Sequence, residues 1–118
     1  MKSIILAAGC GTRLETLTIN KPKSMIRVCG KPILEYQIDA YYEAGVSEII
    51  IVTGYKSNII EKFVDKTGFK NIKIIENKDY QNTNNMYSLW LCREILLMSE
   101  HVFISNKVPT NSYTTTTV

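Results

Sequence analysis

Cysteine is scarce and poorly placed for pairing: Cys10, Cys29 and Cys92 are odd in number, widely spaced, and form no Cys-x-x-Cys pair. That pattern supports neither a disulfide framework nor a zinc site. Histidine is scarcer still, with His101 alone, which argues further against a metal cluster and excludes any mechanism needing two imidazoles. Long apolar runs are missing too. The stretch Ile4 to Ala8 is interrupted at once by glycine and charge, far too short for a signal-peptide core or a membrane span, and cytoplasmic residence without a membrane is the expectation. A net charge of +3 is mild and gives no strong case for nucleic acid. No internal repeat is visible.

What is there reads as one globular domain. At 118 residues, roughly two-thirds of the unfolded surface can be buried. The 45% apolar and 21% charged residues are ordinary for a soluble fold. Lys2 to Leu6 is short, β-branched and closed by a small-residue loop from Ala7 to Thr12, which predicts a buried strand followed by a glycine turn. From Pro32 to Ala44 the apolar positions fall at helical spacing, with Pro at the first turn and Gly45 as the stop. Glu48 to Thr53 has the unbroken Ile49-Ile50-Ile51-Val52 run of a strand covered on both faces.

Ser57 is expected to cap a short helix through Val64, Asn71 to Glu76 to form a strand, Asn85 to Leu97 a helix, and His101 to Ile104 a fourth strand. Strands alternating with helices of this size predict an α/β fold, a Rossmann-like three-layer sandwich around a mostly parallel sheet, over residues 1–105. Residues 106–118 read as a Thr-rich tail with two open alternatives. It is disordered, or it is an extended edge strand through which chains self-associate.

In open α/β sheets the loop after the first strand is the usual phosphate cradle, and Ala7 to Arg13 stands in that place. Gly9 and Gly11 let a ligand approach main-chain N–H donors, and Ala7 and Ala8 keep the approach clear. Arg13, Lys21 and Lys23 gather three cations in one stretch, with Pro22 holding Lys23 on a stiffened, non-helical turn. A plain tight turn beside a solvated basic face reads the same letters equally well. Two other phosphate-binding patterns drop out: Leu14 stands where Gly-x-Gly-x-x-Gly needs its third glycine, and no Gly-Lys-Ser/Thr ending occurs.

The run Ile5-Leu6-Ala7-Ala8-Gly9-Cys10-Gly11-Thr12-Arg13-Leu14 with Lys21-Pro22-Lys23 resembles the signature of the nucleoside-triphosphate transferases, the family of sugar-1-phosphate nucleotidylyltransferases and phosphocholine cytidylyltransferases. Gly30 to Tyr36, Val52 to Tyr55 and Asn77 to Leu91 continue the likeness in order over about residues 1–105, with Thr16 a departure where the family has proline. The resemblance implies that Ala8, Gly9 and Gly11 meet base and ribose, Arg13 the triphosphate, and Lys23 the reacting phosphates. It extends the nucleotide contacts to Leu6, Ala7, Thr12, Gly54, Tyr80, Asn84, Asn85 and Ser88. The implied chemistry is attack by a phosphate oxygen of a small acceptor on the α-phosphorus of a nucleoside triphosphate, pyrophosphate leaving, with magnesium as cofactor.

Asn77-Lys78-Asp79-Tyr80 leading to Thr83 through Leu91 is more similar to the cytidylyltransferases for phosphocholine and phosphonates than to the sugar enzymes, which favours CTP. Tyr80, Tyr87 and Trp90 are candidates for an aromatic face toward a quaternary ammonium, or simply core residues, and Asn84 for a base contact or a plain helix cap. Glu76 and Asp79 are candidates for a cationic group of the acceptor, or merely solvated. Where the family closes a strand on Gly-Asp to hold magnesium, this chain reads Ser105-Asn106-Lys107, and neither Asp nor Glu follows Glu100. The acceptor-binding half of the family would lie beyond Val118, so the expectation is a truncated enzyme, weak or inactive alone. A sugar-1-phosphate enzyme and a non-catalytic nucleotide-binding or assembly module are the alternatives.

Overall fold

The structure is a computed structural model describing residues 1–8, 21–83, 85–98, 102–105 and 115–117. The expectations placed on Gly9, Gly11, Thr12, Arg13 and Asn84 lie outside the described residues. Strand β1 is Lys2–Ala7, and a 3-10 turn at Lys23–Met25 leads to the two-residue strands β2, Arg27–Val28, and β3, Lys31–Pro32. Helix α1 is Ile33–Glu43, followed by β4, Glu48–Thr53, then α2, Ser57–Thr67, and β5, Ile72–Glu76. Two short helices, α3 at Asn85–Leu91 and α4 at Arg93–Met98, precede β6, Val102–Ser105, and β7, Thr115–Thr117.

The main sheet runs β5-β4-β1-β6-β7. Its first four strands are parallel, and β7 runs antiparallel to β6 at the edge. Because side chains alternate across a strand, the continuous apolar runs of β1 and β4 supply both faces. Ile5, Ala7, Ile49 and Ile51 pack under Leu34, Ile38 and Tyr41 of α1 and Ile60 and Val64 of α2. Ile4, Leu6, Ala8, Ile50 and Val52 pack against Cys92, with Leu89, Ile95 and Leu96 on the other side. The three layers expected from the sequence follow from that division.

Helix α1 ends as its sequence foretells: Gly45 takes φ 82°, its N–H donates to Tyr42 C=O, and Val46 N–H reaches Tyr41 C=O, a Schellman ending. The small hairpin β2–β3 was not foreseen. Cys29 and Gly30 both carry positive φ, 54° and 78°, the turn chemistry that joins two strands through two residues. Lys31 fastens this hairpin to α1. Its Nζ lies 2.5 Å from Asp39 Oδ2, and that hydrogen bond raises the lysine above its ordinary pKa.

Two local expectations are corrected. Ser57 does not cap α2; Lys56 is the cap residue, in left-handed backbone at φ 53°, and the Ser57 hydroxyl pairs instead with Thr53 Oγ1 at 2.6 Å. The single helix expected over 85–97 breaks at Cys92, whose N–H donates to Leu89 C=O, three residues back rather than four. Cys92 is buried against the sheet at this tightened turn.

Chain order fixes where a ligand can enter. From β1 the sheet grows through β4 to β5, then jumps to the opposite flank of β1 with β6. In such sheets the reversal opens a crevice beyond the carboxyl ends of the central strands.

Two consequences are measurable. Ile50 is wholly buried whereas Leu97 is 84% exposed. Ile50→Ala is therefore expected to cost about 2–5 kcal/mol in chemical denaturation, and Leu97→Ala to stay within about 0.5 kcal/mol. Burial pushes the Cys92 thiol from 9.0 up to about 11, against the opposing charge of Lys73. Iodoacetamide on the native chain near pH 8 should thus alkylate exposed Cys29 well before Cys92, read by mass spectrometry of the digest. The unfolded chain ionises Cys92 first, so the stability tied to this proton is whole below pH 9.0 and declines as pH climbs toward about 11.

Candidate functional site

The carboxyl end of β1 is built by close approach of backbone. Leu6, Ala7 and Ala8 are each less than a tenth exposed, and the Ala8 carbonyl accepts the Tyr55 N–H at 3.1 Å. That bond draws the turn after β4 against the end of β1. Gly54 makes the approach feasible, because a Cβ there would stand 2.6 Å from Tyr80 Cβ and 2.8 Å from the Ala8 oxygen. Tyr80, half-buried, thus sits against Gly54 and meets Tyr55 edge-on at 6.1 Å between ring centroids. Of the residues singled out in the sequence, Leu6, Ala8, Gly54 and Tyr80 gather on the α3 side of the sheet.

Lys23 stands in the 3-10 turn that follows Pro22. Pro22 is extended, at φ −64° and ψ 156°, as its sequence implies, but Lys23 itself opens the 3-10 turn rather than a non-helical one. Met25, at the end of that turn, is buried in the core cluster that also holds Ala7 and Leu34. Lys21 and Lys23 are both partly exposed, and neither makes an ion pair among the described residues.

Asn77, which the sequence gave little reason to single out beyond its place in a motif, is the polar centre of this edge. It is 1% exposed. Its N–H donates to Thr53 C=O at 2.6 Å and its Oδ1 accepts the Asp79 N–H at 3.0 Å. Its Nδ2 donates to Thr83 Oγ1 at 3.0 Å and to Ser88 Oγ at 3.3 Å. Ser88 is consequently buried on the inner side of α3, while Asn85 begins that helix. The signal was available: a polar residue immediately after a β-branched strand must satisfy its hydrogen bonds where the sheet ends.

Other candidates stand apart. Trp90 is 52% exposed, neither core nor beside Tyr80; its ring stacks on Tyr87 at 5.6 Å, and the Arg93 guanidinium carbon lies 3.9 Å from its centroid. Two residues along a helix from Ser88, Trp90 points to the opposite face, and the cation it holds is the protein's own. Glu76 is exposed at the end of β5, and Asp79 accepts the Asn82 side-chain amide at 2.9 Å within its own turn.

At the carboxyl end of β6, Ser105 is buried in register with Ile5, and its hydroxyl accepts Gln37 Nε2 at 3.0 Å. Magnesium prefers carboxylate oxygens, and this pair offers a neutral amide and a hydroxyl. Among the described residues no group of three or more His, Cys, Asp or Glu could hold a metal ion. The described residues at this strand end do not fit the cation that the family resemblance implies, and Lys107, which the resemblance aligns with its carboxylate, lies outside the described residues. No described helix is long and apolar enough to cross a membrane.

Gly54→Ala forces a methyl into the Ala8–Tyr80 contact, and overpacking of this kind costs about 1–3 kcal/mol. The variant is expected to unfold at lower denaturant with an unchanged slope, checked by urea titration against the parent chain.

Comparison with known proteins extends the reading. The choline-phosphate cytidylyltransferase of Streptococcus pneumoniae is 40% identical over 113 residues, covering 96% of this chain and 48% of the relative. The mannose-1-phosphate guanyltransferase beta-B of Xenopus laevis is 36% identical over 108 residues, 90% of this chain and 30% of its own length. Among solved structures, the CTP:phosphocholine cytidylyltransferase from Streptococcus pneumoniae superposes with a TM-score of 0.78 at 40% identity, over 89% of this chain and 43% of the other. This chain therefore spans about half the length, or less, of the relatives it matches. Its sheet and layers are those of the nucleotide-diphospho-sugar transferase fold. Residues 2–116 match the family described as Nucleotidyl transferase, and it is to the nucleotidyl transferase family that the chain belongs.

Proposed function

We propose that this chain binds a nucleoside triphosphate, CTP by preference, at the carboxyl edge of β1, as the nucleotide-binding part of a cytidylyltransferase acting on a small phosphorylated acceptor such as phosphocholine or a phosphonate. The observation that carries the reading is the backbone approach of Ala8 to Gly54 at the sheet's reversal point. Arg13 and Lys23 serve as the cations that meet the triphosphate. The family resemblance assigns Leu6, Ala7, Ala8, Gly9, Gly11 and Thr12 to the nucleotide at the first turn and Tyr80, Asn84 and Asn85 to the base, with Ser88, which it also assigns there, buried against Asn77. The acceptor's phosphate oxygen attacks the α-phosphorus, forming a new phosphorus–oxygen bond as the bond to pyrophosphate breaks. No covalent enzyme intermediate is needed, so positioning and charge neutralisation do the work. Such a reaction belongs in the cytoplasm, where nucleoside triphosphates are made.

The same reading makes the chain weak or inactive on its own. By the family resemblance Lys107 stands where a metal carboxylate is needed, and residues 101–118 contain neither Asp nor Glu. The guanyltransferase relative supports a second reading, a sugar-1-phosphate nucleotidylyltransferase, and a nucleotide-binding module that self-associates along β7 is a third.

Calorimetry with the four common nucleoside triphosphates, paired with a pyrophosphate-release assay using magnesium and phosphocholine, decides among them. Saturable binding with CTP the tightest and little turnover is expected. Tightest binding of GTP or UTP moves the chain to the sugar enzymes, brisk pyrophosphate release removes the inactivity claim, and no binding of any nucleotide overturns the reading. Light scattering distinguishes a monomer from an edge-paired assembly.

A further inference from the structure

Asn77 does more than satisfy its own polar atoms. Its two amide hydrogens reach Thr83 and Ser88 while its oxygen takes the Asp79 N–H, so one side chain grips both ends of the turn 79–83 and the inner side of α3. The orientation of the amide is forced. Reversed, it would set an NH2 group against the Asp79 N–H and leave the two hydroxyls facing an oxygen. Thr83 is committed as well, since its hydroxyl also donates to Asp79 C=O at 2.8 Å. Tyr80 stands inside this clamp, pressed on Gly54.

The geometry assigns to Asn77 the part of a positioning residue: it holds Tyr80 at the wall of the nucleotide site, and affinity for the base depends on it although it touches no ligand. This rests on the nucleotide-binding reading above. Backbone pairing alone would leave the turn free to swing away, for the described main-chain hydrogen bonds inside it reduce to Asn82 N–H to Asp79 C=O. With three side-chain bonds from a buried amide added, the aromatic ring is presented in one place, and a pre-placed wall spares the ligand the cost of ordering it.

The test is a double-mutant cycle on CTP affinity, measured by calorimetry on the whole chain. Asn77→Asp keeps the size and the bond from Asp79 N–H but removes both donors. It is expected to weaken CTP about tenfold or more. Tyr80→Ala is expected to weaken CTP in the parent chain and to add little in the Asn77→Asp background, because a wall already out of place has little left to lose. Circular dichroism establishes that each variant is folded; should Asn77→Asp fail that check, Thr83→Val cuts one arm of the clamp at a partly exposed site and replaces it in the cycle. Unchanged affinity in the folded clamp variant, no effect of Tyr80→Ala in the parent, or losses that simply add, each overturns the inference alone. A parent chain that takes up no CTP overturns both it and the reading beneath it.

Discussion

One short contact governs the functional edge: the Ala8 carbonyl receiving the Tyr55 N–H, with Gly54 between them and no room for a methyl group. A hydrogen bond of this kind contributes only about 0.5–1.5 kcal/mol, yet it joins the ends of the two most deeply buried strands. The parallel register of Ile4 to Ile50 and Leu6 to Val52 delivers those ends to the same level, and the turn after β4 then folds over the end of β1. Tyr80 finds its seat only because that turn lies where it does. Packing in the middle of the sheet is thereby converted into geometry at its rim.

Polar satisfaction does the rest. A sheet that ends must dispose of backbone groups with no further strand to pair, and in this molecule the task falls to side chains that follow the apolar runs. Asn77 does so after β5. At β6, whose backbone continues its pairing with β1 and β7, Gln37 closes off the Ser105 hydroxyl from α1. Both are neutral groups in places that a purely apolar residue would leave with orphaned donors. Apolar burial thus sets the layers, whereas amides and hydroxyls set the shape of the crevice above them.

Much of this was legible in the letters. The run Ile49 to Val52 could be nothing but a strand covered on both sides, and Pro32 and Gly45 bracketed α1 almost to the residue. The small residues Ala7 and Ala8 could be read as keeping an approach clear, but the packing of Gly54 between Ala8 and Tyr80 could not. The break at Cys92 was illegible because helical periodicity continues through it; α3 and α4 divide at a side chain buried against the sheet. Trp90 misled for the opposite reason: aromatic bulk suggests a core residue, but the ring is exposed and stacks between Tyr87 and Arg93. Ser57 looked like a cap and spent its hydroxyl on Thr53 instead, a choice made by tertiary proximity that local sequence does not encode.

The Gln37–Ser105 bridge has a consequence of its own. Neither an amide nor an aliphatic alcohol gains or loses a proton under conditions a folded chain tolerates, so this seam between α1 and β6 is electrically silent. Acidifying or alkalising the solvent therefore leaves this seam as it was.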